Sequence, residues 1–223
     1  MRLRRHQLAY LSAAGWREVL RQPLEQRAAA RLEDWARRGL PLVVPRQAAT
    51  SAPGEITLAW PAPLSCARLR LALQVGAKGV AMLDEFPAAR ALAPLLSRTV
   101  RRAWQPWLRG LEQLGVQPRV YGSYGWQLLT GLDYVHAASD LDLWLAVDSE
   151  QQADAAVALL QAWPHEALRF DGELMFPGGA AVAWREYAAW RAGRTRGLLV
   201  KRLDAVQVQE ALELPAWCEA VAA

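Results

Sequence analysis

The chain reads as an α+β protein, with a small N-terminal α+β domain over residues 1–85 and a C-terminal domain over 100–223 in which a mixed sheet is flanked by helices. Three observations predict this. Short apolar runs separated by Pro23, Pro41, Pro45, Pro53, Pro61 and Pro63 fill the first part, while strand and helix patterns alternate in the second. A composition with 53% hydrophobic and 22% charged residues is that of a packed globule. At 223 residues the chain can bury one large core or two small ones.

Taken in order, Leu24 to Arg38 predicts a helix that stops at Gly39. Pro41-Leu42-Val43-Val44, Glu55 to Trp60 and Leu69 to Val75 read as strands. Leu83 to Ser97, with Pro87 and Pro94, reads as a junction. Val100, Ala103, Trp104, Trp107, Leu108, Leu111 and Leu114 recur at a helical period, so Thr99 to Leu114 is predicted helical, with a kink or break at Pro106. Arg119 to Tyr121 is a short strand, Gly122-Ser123 a turn, Tyr124 to Leu132 a helix and Leu141 to Val147 a strand. Ser149 caps a helix that reaches Trp163, and Gln152 three residues later completes the capping pattern. Leu168 to Phe176 reads as a strand interrupted at Gly172. Ala180 to Trp184 and Leu198 to Lys201 are further strands around a helical piece.

Composition excludes several classes. Cys66 and Cys218 lie far apart and near no other metal ligand, which argues against a disulfide framework or a zinc site. No apolar run of about 18 residues spans a membrane, and the basic start is followed too soon by polar residues for a signal peptide. The chain is expected in the cytoplasm. Of 26 basic residues only Lys78 and Lys201 are lysines, leaving 24 arginines. That surplus suits phosphate or carboxylate recognition, and equally reflects codon bias in the source genome. A pI near 9.4 raises nucleic acid as a partner, but no basic stripe demands it and none is expected. The eleven Trp residues are spread from Trp16 to Trp217 and read as core and surface anchors.

One constellation carries chemistry. Asp140 and Asp142 are one residue apart at the start of an apolar strand, and the period of two points both carboxylates to one face. Two such charges repel, and a divalent cation resolves the repulsion; magnesium in particular is held by few carboxylates plus substrate phosphates. Gly122-Ser123 sits between a strand and a helix, where backbone N–H groups and the helix dipole favour phosphate. A third carboxylate on a neighbouring strand would complete a two-metal site. Glu173 is the choice because it adjoins the apolar run, with Asp171 close behind. Lys201 at a strand end offers a compact charge for phosphate, and Arg185 is a second candidate. His136 lies in the loop before Asp140.

Val120-Tyr121-Gly122-Ser123, Trp126-Gln127-Leu128-Leu129-Thr130-Gly131-Leu132 and Ser139-Asp140-Leu141-Asp142-Leu143 resemble the phosphoribosyl-dephospho-CoA transferases, the holo-acyl-carrier-protein synthases of malonate decarboxylase. Asp171-Gly172-Glu173, Ala181 to Glu186 and Val200-Lys201 are similar to later blocks of that family, and Arg5-His6-Gln7-Leu8 and Pro41 to Val44 to earlier ones. The resemblance implies a nucleotidyltransferase-like C-terminal domain. It implies transfer of the phosphoribosyl-dephospho-CoA group from 2′-(5″-triphosphoribosyl)-3′-dephospho-CoA to a serine of the apo acyl-carrier subunit, with release of pyrophosphate. Asp140 and Asp142 would hold Mg2+, and Gly122 and Ser123 the triphosphate. Sixteen residues separate Ser123 from Asp140, more than minimal nucleotidyltransferases have, and the Trp126–Leu132 block accounts for the length. The alternatives are another metal-dependent nucleotidyltransferase and a non-catalytic nucleotide-binding module.

Overall fold

The computed structural model describes residues 3–48, 52–66, 69–165 and 168–212. In chain order the first elements are β1 (Leu8–Leu11), α1 (Ala13–Leu20), α2 (Gln26–Arg37), β2 (Leu42–Val43), β3 (Glu55–Pro61), β4 (Arg70–Gly76) and β5 (Val80–Asp84). A single-turn-rich stretch, Ala89–Leu95, leads into α3 (Arg98–Gln113), β6 (Arg119–Val120) and α4 (Gly122–Thr130). The chain then forms β7 (Leu141–Ala146), α5 (Glu150–Gln161), β8 (Phe170–Phe176), β9 (Ala180–Ala183), α6 (Trp184–Arg191), β10 (Leu198–Lys201) and β11 (Val206–Gln209). The protein is α+β, as its sequence predicts.

Two compact units result, and they do not follow the chain linearly. The first comprises residues 1–87, 120–139 and 203–205; the second comprises 88–119, 140–202 and 206–223. In the first unit five strands form an antiparallel sheet in the order β4-β3-β2-β1-β5. Its core gathers Leu8, Leu32, Trp35, Leu42, Leu58, Trp60 and Leu73, all essentially buried. Trp126 of α4 belongs to this core and meets Trp35 at 5.9 Å and Phe86 edge-on at 5.2 Å. Burial of such rings accounts for much of the stabilisation, because each removes a large apolar area from water.

The second unit has a mixed sheet in the order β11-β10-β9-β8-β7-β6. β7 and β8 run parallel, while β8, β9, β10 and β11 pair antiparallel in turn. Helices cover one face. Trp104 and Trp107 of α3 pack on Phe170 at 6.0 and 4.7 Å, and α6 lies on β8, β9 and β10. Leu141, Leu143, Leu145, Leu174 and Val182 are fully buried. The alternate residues of these strands point to the opposite face.

The local expectations met some corrections. Residues 8–11, 13–20, 80–84 and 206–209, for which the sequence predicts no element, are ordered as β1, α1, β5 and β11. α1 forms because Ser12 caps it through Gly15 N at 3.1 Å, and its mixed apolar spacing is completed only by the sheet it covers. α3 runs unbroken through Pro106. Pro106 is exposed, so the carbonyl that loses its partner there faces water. β8 likewise runs without interruption through Gly172. The Ser149 cap is present, with Gln152 N donating to Ser149 Oγ at 3.2 Å.

Candidate active site

In the second unit, register decides which side chains share a face. Asp142 is the Cα partner of Asp171, and Trp144 that of Glu173. Glu173 in turn faces Ala183, and Lys201 faces Ala181. One face of the sheet therefore carries Asp142, Asp171, Glu173 and Lys201, with Asp140 at the mouth of β7. The sequence brought these residues together only as pairs along strands. Hydrogen bonding between the strands makes one array of them.

Gly172 lies at the centre of this arrangement. Its φ of +126° is open to glycine, and a Cβ there would come within 1.9 Å of the Leu143 carbonyl oxygen. The absent side chain lets β8 close on β7, and that contact sets Asp171 and Glu173 beside Asp142.

Several of the charges here are already partnered. Lys201 Nζ donates to Glu173 Oε1 at 3.0 Å, and the glutamate is nearly buried whereas the lysine is partly exposed. Arg169, which the sequence reading did not single out, stands 2.7 Å from Asp140 Oδ1. The contact is an ion pair without hydrogen-bond alignment, so Asp140 Oδ1 remains a buried oxygen accepting no hydrogen bond. Arg169 reaches it because Leu141 N donates to Arg169 O at 2.8 Å, in step with the parallel register. No signal in the sequence could fix that register. Arg185, a candidate phosphate ligand, donates to Phe170 O at 2.7 Å and lies 4.4 Å over the Trp184 ring.

Gly122 and Ser123 open α4 in the first unit. Gly122 has φ +60°, a left-handed conformation that a side chain would strain. α1, α3 and α5 each have a serine cap, but Tyr121 gives α4 no side-chain cap. The first N–H groups of α4 and the positive end of its dipole suit an anion. The ring of His6 packs on Tyr121 at 4.5 Å, and His6 has φ +65°.

The Trp126–Leu132 block is built into this helix. Trp126 fills the core; Thr130 Oγ1 donates to Trp126 O at 2.7 Å and accepts from Leu132 N at 3.2 Å. Gly131 ends α4 with φ +69°. Gln127 Oε1 accepts from Tyr134 N at 3.1 Å and Val135 N at 2.9 Å, fixing the loop that leads on to Asp140. His136 lies in that loop, where its Nδ1 accepts from Ala138 N at 3.1 Å.

Among the described residues no three His, Cys, Asp or Glu side chains come together in an arrangement able to hold a metal. The pair Asp140 and Asp142 nevertheless fits a hard cation. Both offer carboxylate oxygens, and Asp140 Oδ1 is buried without a hydrogen bond. Among the described residues no helix is long and apolar enough to cross a membrane. Cys218 lies outside the described residues, and Cys66 is a free thiol.

The family matches define the class of the protein as a transferase. The chain belongs to the phosphoribosyl-dephospho-CoA transferase family, whose substrate is derived from CoA. The model of the phosphoribosyl-dephospho-CoA transferase MdcG C-terminal domain matches residues 73–211, and that of the N-terminal domain residues 4–85. A phosphoribosyl-dephospho-CoA transferase of Xanthomonas campestris pv. campestris is 42% identical over 90% of this chain and 91% of its own. One of Bradyrhizobium diazoefficiens is 40% identical over 91% of this chain and 88% of its own. No solved structure matches the chain.

Proposed function

We propose that the protein transfers the phosphoribosyl-dephospho-CoA group from 2′-(5″-triphosphoribosyl)-3′-dephospho-CoA to a serine of the apo acyl-carrier subunit of malonate decarboxylase, in the cytoplasm. The observation that carries this reading is the register of Asp142 with Asp171 on one face of the sheet, in a chain of this family.

The serine oxygen forms a bond to the α-phosphorus of the triphosphate. The bond from that phosphorus to the bridging oxygen breaks, and pyrophosphate leaves with the electron pair. The product is a phosphodiester, and the serine proton passes to a carboxylate. Asp140 and Asp142 are the residues that would hold magnesium, which when bound neutralises phosphate charge and stabilises the leaving group. The α4 N-terminus, with Gly122 and the Ser123 hydroxyl, receives triphosphate oxygens. Lys201 offers its ammonium to phosphate, and Glu173 holds it in place. Glu173 keeps the role of third carboxylate only once substrate draws Lys201 away. Asp171, exposed and in register with Asp142, is otherwise the group open to the serine proton. Arg185, committed to Phe170 O, supports the site through the start of β8.

Mass spectrometry of the apo carrier after incubation with enzyme, triphosphoribosyl-dephospho-CoA and Mg2+ tests the reading. The expected result is one added phosphoribosyl-dephospho-CoA per carrier, lost in Asp142→Ala while that variant keeps its circular dichroism. Full transfer by Asp142→Ala overturns it.

A further inference from the structure

In the second unit, the sheet face that carries Asp142, Asp171, Glu173 and Lys201 continues past the lysine. Lys201 is the Cα partner of Val206, and Leu199 that of Val208. Partners across a ladder point to one side, as do residues two apart along a strand, so Leu199, Val206 and Val208 share the face of Lys201. Val208 is 73% exposed and Val206 40%, and β11 thus holds two of the four exposed large apolar side chains among the described residues. Apolar residues scattered singly over a surface carry no meaning, whereas neighbours on one face mark a place of contact.

β11 is also an edge strand, and Val206-Gln207-Val208-Gln209 carries no charge. Exposed edges are usually guarded, because their free N–H and C=O groups pair readily with another chain. β4, an edge of the first sheet, is guarded by side chains: Gln22 Oε1 accepts from Gln74 N at 3.1 Å, and Glu18 Oε1 from Gly76 N at 3.0 Å. Among the described residues no side chain does this for 206–209. Trp190 Nε1 donates to Glu210 O at 3.1 Å, one residue beyond the strand.

Position separates the candidate occupants. Neighbouring strands stand about 4.8 Å apart, so β11 lies about 14 Å from β8 and about 19 Å from β7. A domain of about 100 residues has a radius of gyration of about 13 Å and covers that span in one contact. A protein seated on Val206 and Val208 therefore overhangs Asp142 and Asp171. The acceptor must come there at every turnover, and a fixed second copy of this chain would stand in its way. A small molecule takes a concave site that buries most of its surface, which the edge of a sheet does not offer.

We propose that the apo acyl-carrier subunit docks on β10 and β11 through an apolar surface of its own, seated on Leu199, Val206 and Val208, with its serine held over Asp142 and Asp171. The identity of the partner rests on the proposed transfer. Val206 and Val208 take no part in the chemistry.

The test joins binding to kinetics on the full chain. Labelled apo carrier is titrated with the protein without CoA substrate and followed by fluorescence anisotropy. Initial transfer rates are then measured against carrier and against triphosphoribosyl-dephospho-CoA. The double variant Val206→Ser, Val208→Ser should keep its circular dichroism and weaken carrier binding at least tenfold. Its KM for the carrier should rise at least tenfold, with kcat and the KM for the CoA substrate within twofold. The isosteric pair Val206→Thr, Val208→Thr, as favourable in a strand as valine, should weaken binding at least threefold and replaces the serine pair if that does not fold. Carrier binding within twofold of the unaltered protein overturns the proposal. So does an equal rise in the KM for the CoA substrate, which assigns the strip to the small molecule. Loss of self-association in sedimentation velocity also overturns it, by assigning the strip to a second copy. Carrier binding that needs both valines, in a protein that transfers nothing, leaves the docking site standing and sinks the transfer.

Discussion

Lys201 Nζ lies 3.0 Å from Glu173 Oε1, joining the second unit's partly exposed lysine to its buried glutamate across β9. The interior cost of the glutamate charge is offset by this contact. Removing one partner of such a pair typically costs about 3–5 kcal/mol, whereas replacing both with apolar groups of similar size costs far less. Lys201→Met should therefore lower stability by about 3 kcal/mol in urea unfolding, at the low end because the lysine is partly exposed. The double variant Lys201→Met, Glu173→Leu should recover most of it. A double variant as unstable as the single one would show that an unpaired Glu173 charge is not what destabilises Lys201→Met.

Gly172→Ala should be among the most damaging single changes in the protein. The added Cβ would meet the backbone of Leu143, which cannot move without breaking the β7–β8 ladder. A loss of more than about 3 kcal/mol is expected, in line with overpacking and backbone strain. Gly179→Ala provides the control: it has φ +79° but open space around it, so only about 1–2 kcal/mol of strain is expected. Thermal melts of the two variants compare them directly.

Activity should depend on a divalent cation. Chelation with EDTA is expected to abolish carrier modification, and excess Mg2+ to restore it, because Asp140 and Asp142 repel each other without one. Arg169→Gln should weaken Mg2+ competition at Asp140 and lower the Mg2+ concentration needed for half activity. Transfer that persists in EDTA would sink the metal assignment.

Stability at high pH should be set in part by Tyr187. Burial, followed by its hydrogen bond to Asp154 at 3.0 Å, raises its phenol well above the usual value of 10.0. A group whose folded pKa is raised stabilises the fold fully below the unfolded value and loses that contribution as pH rises through the folded one. Loss therefore begins above about pH 10. Tyr187→Phe should cost about 1 kcal/mol at pH 7 from the lost hydrogen bonds and show a shallower fall above pH 10. Unfolding curves at pH 7, 9 and 11 measure both.

The Trp126–Leu132 block should prove structural when tested. Gln127→Ala removes the acceptor of two backbone N–H groups, leaving Tyr134 N and Val135 N to find water. A cost of about 1–3 kcal/mol is expected, together with faster amide exchange at residues 131–136. Unchanged exchange there would separate the block from the loop it is argued to hold.

The sequence alone was enough to determine the α+β class, most of the helices and strands and the Ser149 cap. Each of these depends on spacing along one segment, which hydrophobic period and local hydrogen bonding dictate. The family was legible for a related reason: Trp126, Gln127, Thr130 and Gly131 each satisfy a specific local contact that few other residues could make. Tertiary structure alone decided what lies beside what. The parallel register of β7 and β8 put Asp171 opposite Asp142 and Arg169 beside Asp140. The crossover of β9 and β10 gave Glu173 its lysine. The fold also placed α4, with Gly122 and Ser123, on the core of the first unit although the strand that follows it, β7, belongs to the second. Those outcomes turn on hydrogen bonds between strands far apart in the chain and on the burial of Trp126 among distant rings. A pattern read along one segment holds no information about either.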